Sequence, residues 1–516
     1  MNEIWLLARE LEGWVEAGGV KDVVGDQAES FTKLGWETHV VLPLYGQLLE
    51  VAAAEFALEW SGTNKQPSYE GRSISVVTKA TKGFILHLVG LTSFSEKRGI
   101  YTYTAEEEDL SQGKHKGSGH LDAFFMNLEY QWAITQYWFE TNQRPQHVLA
   151  HDGHLGYLPA LARHHPGYGI HFHATRFAVL IHNAGPGYRQ EVPDTPYHRN
   201  LLGLPERLVQ ESILKGYLDP LVSAAHQANL ATVSHNYAEE LLTGKNDHWS
   251  GGYGQYLREH RVKLKGITNG ISLIDKDPRD PERSGLTVGF DPLLGQFEGK
   301  LQCRRELRER LLFKPSSVHG RLSDWNKALY MNQGRLTAQK GVEALAGLIE
   351  RALEEAPAAN FVVMAQGESR YEEPMQRLAQ NHIESGQFIF INKYEDSLAR
   401  LLFAAADFLL MPSEYEPCGL TDLKAQLMGT LPIVHRVGGL VKVRDGVTGF
   451  SYAEKSGFWG AFQKSLELYS EKPQTLKMMQ TEAFSEVLLR SDWPSILVTQ
   501  YIPWLTEVPV NPIVSP

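Results

Sequence analysis

The sequence predicts an α/β protein with two doubly wound, Rossmann-like domains that face a cleft. At 516 residues the chain is longer than one ordinary hydrophobic core organises, which favours two domains. Buried strands alternate with helices early in the chain and again late in the chain, and this alternation is typical of parallel sheets. Several strands end in polar residues, at the edge where such sheets bind ligands.

A βαβ unit opens the first domain. An apolar strand at residues 4–8 leads into a loop that contains Glu16, Gly18 and Gly19, and a helix with regularly spaced apolar residues follows from Val20. HVVLP is the next strand, and later strands end in the polar pairs His-Asp and His-Asn. Ligand contacts are therefore expected at the carboxyl ends of these strands.

Domain boundaries follow from composition. The first domain is predicted to span residues 1–272, and the Asp-, Pro- and Gly-rich residues 273–300 are predicted to be a linker. Residues 301–491 are predicted to form the second domain, with strands ALYMNQG, FVVMAQG, FIFIN, FLLMP and PIVHRV. An aromatic, amphipathic helix at 492–516 is expected to cross back to the first domain.

The stretch MPSEYEPCGLTDLKAQLMG, residues 411–429, organises the second domain. A buried strand ends in it and a helix is predicted to begin near Pro417. Unpaired backbone N–H groups of Cys418, Gly419 and Leu420 would hold an anion there. The carboxylate of Glu416 beside such a site fits a ligand that also carries hydroxyl groups, as a sugar nucleotide does.

Composition excludes several classes of protein. A formal charge of −11 without a basic run argues against nucleic acid and anionic membranes as partners. The chain contains no apolar run of about 20 residues and its first residues lack a signal-peptide pattern, so a cytoplasmic protein is expected. Two cysteines are too few for a disulfide framework or a zinc site.

Seven motifs in this sequence resemble the motifs of one protein family. In chain order these motifs are GGVKDVVG, AHDGHLGYLPAL, IHN, VSHNYAEELLT, GITNG, GRLTAQKG and PSEYEPCGLT. Their order and the elements that carry them resemble bacterial glycogen synthases and plant starch synthases over nearly the whole chain. The resemblance implies the two-domain GT-B fold and a retaining transfer of glucose to α-1,4-glucan. It also implies a nucleotide-diphosphate glucose as donor, usually ADP-glucose in bacteria.

The resemblance assigns roles in the second domain. Arg335 and Lys340 match the residues that grip the donor phosphates, and Glu416 matches the carboxylate at the donor glucose. The N–H groups of residues 418–420 and Thr421 should meet sugar or phosphate oxygens. Tyr394 matches an aromatic residue against the base, although a buried core tyrosine is nearly as good an interpretation.

The resemblance also places residues of the first domain near the reaction. His151 matches a histidine beside the reacting sugar, where a neutral imidazole can donate a hydrogen bond to a hydroxyl. Glu10, Asp22, Asn183 and Asn269 match positions near the cleft or hinge with less specific roles. The Asn-Gly pair at 269–270 is equally compatible with a plain turn.

The first glycine loop departs from the family spelling Lys-x-Gly-Gly. Glu16 stands where the family has the lysine beside the donor phosphates, and Lys21 is the nearest cation that could restore the charge. Gly153 and Ser272 also differ from the usual residues, and residues 438–450 lack the acid that follows Gly-Gly-Leu. These departures bear on donor identity and on the level of activity.

The leading hypothesis is a glucan synthase that uses ADP-glucose, with UDP-glucose as the alternative donor and no cofactor. A GT-B transferase with a small acceptor and a catalytically weakened glucan-binding homologue are the alternatives. Asp275 and Asp277 resemble the metal-binding acid pair of another glycosyltransferase class, but their place in the predicted linker favours no metal. Oligomeric state is not predicted.

Overall fold

The chain divides into two compact units in the computed structural model. The described residues are 2–110, 113–313 and 316–507. Met1–Asn269 and Trp493–Pro516 form the first unit, and Gly270–Asp492 forms the second. The chain therefore leaves the first unit once and returns to it, and residues 508–516 of the predicted C-terminal helix lie outside the described residues.

The strands described in the first unit form a nine-stranded sheet and a small three-stranded sheet. In chain order they are β1 (Glu3–Leu7), β2 (Glu37–Pro43), β3 (Ala57–Thr63), β4 (Ser73–Thr81), β5 (Phe84–Gly90), β6 (His147–His151), β7 (Arg176–Ile181), β8 (Val192–Pro193), β9 (Ile213–Leu214), β10 (Tyr217–Leu218), β11 (Asn229–Thr232) and β12 (Leu264–Gly266). The α-helices are Val20–Lys33, Leu49–Glu55, Thr92–Ser95, Ala105–Leu110, Ala123–Glu140, Leu158–His164, Pro196–Leu202, Glu206–Glu211, Pro220–Gln227, His235–Thr243, Tyr253–Glu259, Trp493–Ile496 and Ile502–Thr506, with a π-helix at Leu497–Tyr501.

The nine-stranded sheet of this unit has the order β12-β11-β7-β6-β1-β2-β5-β4-β3. The other three strands form a separate antiparallel sheet in the order β8-β10-β9. The nine-stranded sheet is parallel from β12 to β5, whereas β4 and β3 are antiparallel additions made by the less regular part of the sequence. The strand order reverses between β1 and β6. Ligands of open α/β sheets bind at such a reversal, beyond the carboxyl ends of the strands.

The second unit has a smaller sheet. Its strands are β13 (Val318–Leu322), β14 (Ala328–Leu336), β15 (Ala359–Gly367), β16 (Gln387–Ile391), β17 (Phe408–Met411), β18 (Leu431–His435) and β19 (Phe450–Tyr452). Its α-helices are Pro281–Ser284, Glu298–Leu312, Val342–Glu355, Ser369–Asn381, Asp396–Ala405, Thr421–Leu427, Gly457–Glu471 and Pro473–Arg490. The strand order is β13-β16-β15-β14-β17-β18-β19, and only β13 runs antiparallel to its neighbour.

Both faces of this second sheet are covered by apolar side chains. Along β14, Tyr330 packs into one core cluster, whereas Leu329 and Met331 pack into the other. Successive residues of a strand point to opposite faces, so a strand covered on both sides reads as a continuous apolar run. The reversal in strand order lies between β14 and β17, where GRLTAQKG and PSEYEPCGLT begin.

Residues 273–300 are part of the second unit and do not form a separate linker. Leu286, Phe290 and Phe297 of this stretch are buried in one core cluster of that unit. The frequent Asp, Pro and Gly residues make tight turns and helix caps, such as Asp280 at the start of Pro281–Ser284. Turn-rich composition was therefore a poor guide to a domain boundary.

The helix expected to begin near Pro417 begins four residues later and spans Thr421–Leu427, with Leu420 as its N-cap. Residues 412–420 form an irregular loop in front of it. The Cys418–Leu420 N–H groups thus belong to loop peptides, and the helix itself is only seven residues long. None of the helices within the described ranges combines the length and apolar character needed to span a membrane.

Candidate functional site

Three neighbouring strands of the first unit end in the predicted polar residues. β1 leads to Glu10, β6 ends at His151, and β7 is followed by His182 and Asn183. Because β7, β6 and β1 are adjacent and parallel, these residues share one edge of the sheet. The sequence predicted this edge from the polar strand ends.

Glu10 anchors the first glycine loop from inside the protein. Its side chain is 1% exposed and accepts hydrogen bonds from the N–H groups of Ala17 (2.9 Å) and Gly18 (2.5 Å) and from the Tyr101 hydroxyl (3.2 Å). Burial raises the pKa of Glu10, and the loop hydrogen bonds oppose that shift. The loop is held in place, while Gly18 and Gly19 remain exposed.

Glu16, the departure from the family, is an ion-pair partner of Lys21. Lys21 Nζ lies 2.6 Å from Glu16 Oε2, and Glu16 Oε1 accepts a hydrogen bond from the Gly13 N–H at 2.8 Å. The Glu16 side chain is 47% exposed. Its negative charge is therefore both paired and screened by water, which weakens the repulsion of a nearby phosphate.

His151 is buried, and one of its two ring nitrogens has no hydrogen-bond partner among the described residues. Its Nδ1 lies 2.9 Å from His182 Nε2, whereas its Nε2 has no hydrogen-bond partner among the described residues. Burial first, and the neighbouring His182 second, lower the pKa of His151 well below its usual value. Burial also lowers the pKa of His182 to about 3. Both rings are neutral at pH 7, so His151 Nε2 can serve a substrate hydroxyl.

Asp152, which the sequence interpretation did not single out, connects the two strand ends. Its Oδ1 accepts hydrogen bonds from the N–H groups of His182 (2.6 Å) and Asn183 (3.3 Å). Its backbone lies at φ 62° and ψ −180°, a region that side-chain-bearing residues rarely adopt. Strain of this kind concentrates at functional sites, but a sequence pattern does not reveal it. The adjacent His151 motif was the available signal.

We predict that replacing Asp152 by Asn changes how stability depends on pH. Burial raises the pKa of Asp152 to about 7, far above the ordinary value of 3.8. Between those values the folded state holds a proton that the unfolded state releases, so this group's contribution to stability falls as pH rises towards 7. Asp152→Asn removes the titrating group. As pH rises from 5 to 8, the unfolding free energy of the variant should therefore fall less than that of the wild type.

Urea unfolding of both proteins at pH 5, 6, 7 and 8 measures this effect. The difference in unfolding free energy should move in favour of Asp152→Asn by at most about 1.4 kcal/mol per pH unit. The other titrating groups are common to the two proteins and cancel in the difference, except for Glu10, which interacts electrostatically with Asp152. Parallel pH profiles would contradict the prediction.

The remaining predicted residues of the first unit have mainly structural contacts. Asp22 is buried in the first turn of Val20–Lys33. Asn183 Oδ1 accepts a hydrogen bond from the Gly185 N–H at 2.8 Å, and Asn269 Oδ1 accepts one from the Tyr501 hydroxyl at 3.4 Å. These contacts fix the loops around the sheet edge, and direct roles for the three side chains stay predictions.

Lys340 and Glu416 meet at the reversal point of the second sheet. Lys340 Nζ lies 2.6 Å from Glu416 Oε2, and the Ser413 hydroxyl donates to the same oxygen at 3.0 Å. Burial alone would raise the pKa of Glu416, but the Lys340 charge and both hydrogen bonds outweigh it and hold that pKa below its usual value. The carboxylate is ionised at pH 7 and keeps oxygen lone pairs for a ligand.

Two glycines allow the loops to approach this closely. A Cβ at Gly341, which has φ +67°, would lie 2.0 Å from the Pro412 carbonyl oxygen. Gly419 has φ +74°, and a Cβ there would lie 2.7 Å from Leu440 Cδ2 and 2.8 Å from Asp422 Oδ1. Both positions therefore require glycine, which explains one glycine in the motif GRLTAQKG and the glycine of the motif PSEYEPCGLT.

The other predicted residues of the second unit lie along the same edge. Arg335 is exposed near the end of β14, and Thr421 begins the helix after the loop that contains Cys418. Tyr394 follows β16, two strands from β14, and is 50% exposed rather than part of the core. Its hydroxyl donates to Asp396 Oδ1 at 3.1 Å. An exposed ring at this edge suits stacking against a base.

The acids of the predicted linker are engaged by cations. Asp277 accepts hydrogen bonds from the guanidinium of Arg279, including one of 2.6 Å, and Asp275 Oδ1 lies 2.7 Å from Lys276 Nζ. These contacts give the pair a structural role in a turn.

Each unit therefore presents polar groups at its own sheet edge. The second unit offers a carboxylate beside a cation, which suits a ligand with both hydroxyl and phosphate groups. The first unit offers a buried neutral imidazole and a glycine loop held by Glu10. A cation of this kind can stabilise negative charge on a phosphate, and a neutral imidazole can form a hydrogen bond with a hydroxyl group.

Family models match both units. Residues 3–259 match the model described as starch synthase catalytic domain, and residues 319–485 match glycosyl transferases group 1. A glycogen synthase of Aliivibrio fischeri (strain MJ11) is 28% identical over 504 residues, covering 94% of each chain. A glycogen synthase of Aeromonas hydrophila is 27% identical over 513 residues, covering 97% of this chain and 96% of the relative.

A solved structure has the same fold over nearly its full length. The catalytic domain of starch synthase IV from Arabidopsis thaliana, bound to ADP and acarbose, superposes with a TM-score of 0.79 and 20% identity. The match covers 98% of both chains. The predicted fold class, with two doubly wound domains, is confirmed.

Proposed function

We propose that this chain, which belongs to the glycogen and starch synthase family of glycosyltransferases, transfers glucose from ADP-glucose to the non-reducing end of an α-1,4-glucan. The anomeric configuration is retained. The observation that carries the proposal is the Lys340–Glu416 pair at the strand-order reversal of the second sheet. The pair supports the proposal because a cation able to bind phosphate lies beside a carboxylate able to accept hydrogen bonds from sugar hydroxyls.

In the proposed reaction the terminal 4-hydroxyl of the glucan attacks C1 of the donor glucose on the face that the nucleotide leaves. The bond from C1 to the phosphate oxygen breaks, the bond from C1 to O4 forms, and the diphosphate takes the hydroxyl proton. Lys340 and Arg335 stabilise the charge on the leaving diphosphate. Glu416 accepts a hydrogen bond from a donor glucose hydroxyl.

Donor and acceptor are tested together. Purified protein is incubated with radiolabelled ADP-glucose or UDP-glucose and with glycogen, maltotriose or glucose, and labelled products are separated by size. Incorporation into glycogen from ADP-glucose supports the proposal. Incorporation only from UDP-glucose would reassign the donor, and incorporation only into a small acceptor would replace the polymer acceptor.

A catalytically weakened glucan-binding protein is the second candidate, and Glu16 is the observation that favours it. Binding of glycogen without transfer of glucose from either donor would support this second candidate. The Glu16–Lys21 pair makes the loop nearly neutral instead of anionic, which favours the active enzyme. The cytoplasmic location expected from composition stays a prediction.

We predict that Glu16→Lys raises the affinity for ADP. At about 4 Å and with water-like screening, one unit charge is worth about 1 kcal/mol, and the substitution changes the charge by two units. Because the side chain is half exposed, we expect a gain of about five- to tenfold. Isothermal titration of ADP into the wild type and the variant measures it.

The control is Glu29→Lys, which makes the same charge change later in the helix Val20–Lys33. It should leave ADP affinity unchanged. An unchanged affinity in Glu16→Lys as well would mean that Lys21 already supplies the missing charge, and it would contradict this prediction.

A further inference from the structure

Lys442 is partly buried, with a side chain that is 20% exposed, and it packs against the back of the loop that precedes the helix Thr421–Leu427. Its Nζ donates hydrogen bonds to the carbonyl oxygens of Cys418 (2.7 Å), Gly419 (2.7 Å) and Gly439 (3.2 Å). It also lies 2.9 Å from Asp422 Oδ2, and the Asp422 side chain is fully buried. The ammonium group therefore contacts two carbonyl groups of this loop, the Gly439 carbonyl group and the Asp422 carboxylate.

The turn at residues 438–442 holds Lys442 next to this loop. The Gly439 N–H donates to the Glu416 carbonyl oxygen at 2.9 Å, which fastens the turn to the loop. A Cβ at Gly419 would lie 3.2 Å from Lys442 Nζ. The glycine therefore also keeps open the space through which the ammonium reaches the two carbonyl groups.

Two loop peptides link Lys442 to the opposite side of the loop. In a trans peptide the C=O and the following N–H point in opposite directions, and the described residues contain no cis peptide bond. The Gly419 N–H is therefore opposite the Cys418 carbonyl, and the Leu420 N–H is opposite the Gly419 carbonyl. Neither N–H has a hydrogen-bond acceptor among residues 2–110, 113–313 and 316–507.

A cation bound to a carbonyl oxygen polarises the whole peptide group, so its N–H becomes a stronger donor. The seven-residue helix that follows aligns few peptide dipoles, so it supplies little positive potential of its own. The ammonium of Lys442 supplies that potential from behind and at the same time holds both peptides in one orientation.

We propose that Lys442 is a positioning residue that holds and polarises the Gly419 and Leu420 N–H groups for the diphosphate of the donor. This inference rests on the proposed function, since it assumes a nucleoside diphosphate at the loop. Lys442 does not touch the diphosphate itself. It acts through the two peptide groups and leaves direct contact with phosphate to Lys340 and Arg335.

The test compares ADP with adenosine, which lacks the phosphates. Lys442→Met alone would leave Asp422 buried without its cation, so the test variant is Asp422→Asn/Lys442→Met, and Asp422→Asn alone is the matched control. Isothermal titration should show ADP binding weakened about tenfold in the double variant, as expected for one weakened charge-assisted hydrogen bond. Adenosine binding should be unchanged, and Asp422→Asn should bind ADP within about twofold of the wild type.

Two outcomes would overturn the inference while the proposed function stands. One is wild-type ADP affinity in the double variant, and the other is an equal loss for ADP and adenosine, which indicates general damage to the loop. Thermal unfolding of each variant separates such damage from lost polarisation. If the wild-type protein binds neither ADP nor UDP, both the inference and the proposed function are overturned.

Discussion

Glu416→Gln is expected to lower the rate of glucose transfer at least about a hundredfold, the usual effect of removing one preorganised polar group from an active site. Gln has nearly the same shape and can still accept a hydrogen bond from Ser413. It lacks the negative charge that Lys340 faces at 2.6 Å, and its amide accepts a sugar hydroxyl less strongly. Initial rates with saturating donor and glycogen measure the loss.

The matched control is Glu414→Gln on the same loop. Glu414 pairs with Lys455 at 2.6 Å and has no proposed role in transfer, so its replacement should change the rate less than about twofold, as for an exposed ion pair. Near-wild-type transfer by folded Glu416→Gln would remove Glu416 from the site.

Lys340→Met is expected to reduce kcat/KM for the donor by about two to three orders of magnitude, because it removes a cation from the leaving diphosphate. It should also destabilise the protein. Glu416, which is 8% exposed, would lose its charged partner, at a cost of about 1–3 kcal/mol. Transfer kinetics and thermal unfolding report the two effects separately.

The double variant Lys340→Met/Glu416→Gln distinguishes folding from catalysis. It removes both charges of the pair, so stability should return towards the wild type while activity stays low. Recovery of activity together with stability would show that Lys340 serves folding alone. Low stability in the double variant would contradict the pairing argument.

The sequence was sufficient to predict which sheet edges carry the candidate residues. Polar residues after apolar strands predicted one polar sheet edge in each unit, and the structure brings Glu10 and His151 to one such edge and Lys340 and Glu416 to the other. The physical reason is general, since parallel strands expose their carboxyl ends together. The resemblance in motif spelling predicts which of these residues act on which ligand group, and those roles stay predictions.

Features that depend on three-dimensional contact were not predictable in the same way. The strained backbone at Asp152 and the carbonyl contacts of Lys442 are fixed by distant parts of the chain. The late start of the helix at Thr421 has a similar cause, because the preceding loop is held by contacts with residues 339 and 439. Local propensity near Pro417 contains no information about those contacts.

The return of the chain to the first unit has a consequence for how this protein is made. Trp493 donates to Asp26 Oδ2 at 2.9 Å, and Asn229 Nδ2 donates to the Trp504 carbonyl at 3.3 Å, so the first unit is completed by late residues. A ribosome has to synthesise all of Gly270–Asp492 before those residues emerge. The second unit can therefore finish folding first, although most of the first unit precedes it in the sequence. A chain stopped at residue 492 would contain a complete second unit and a first unit that lacks part of its core.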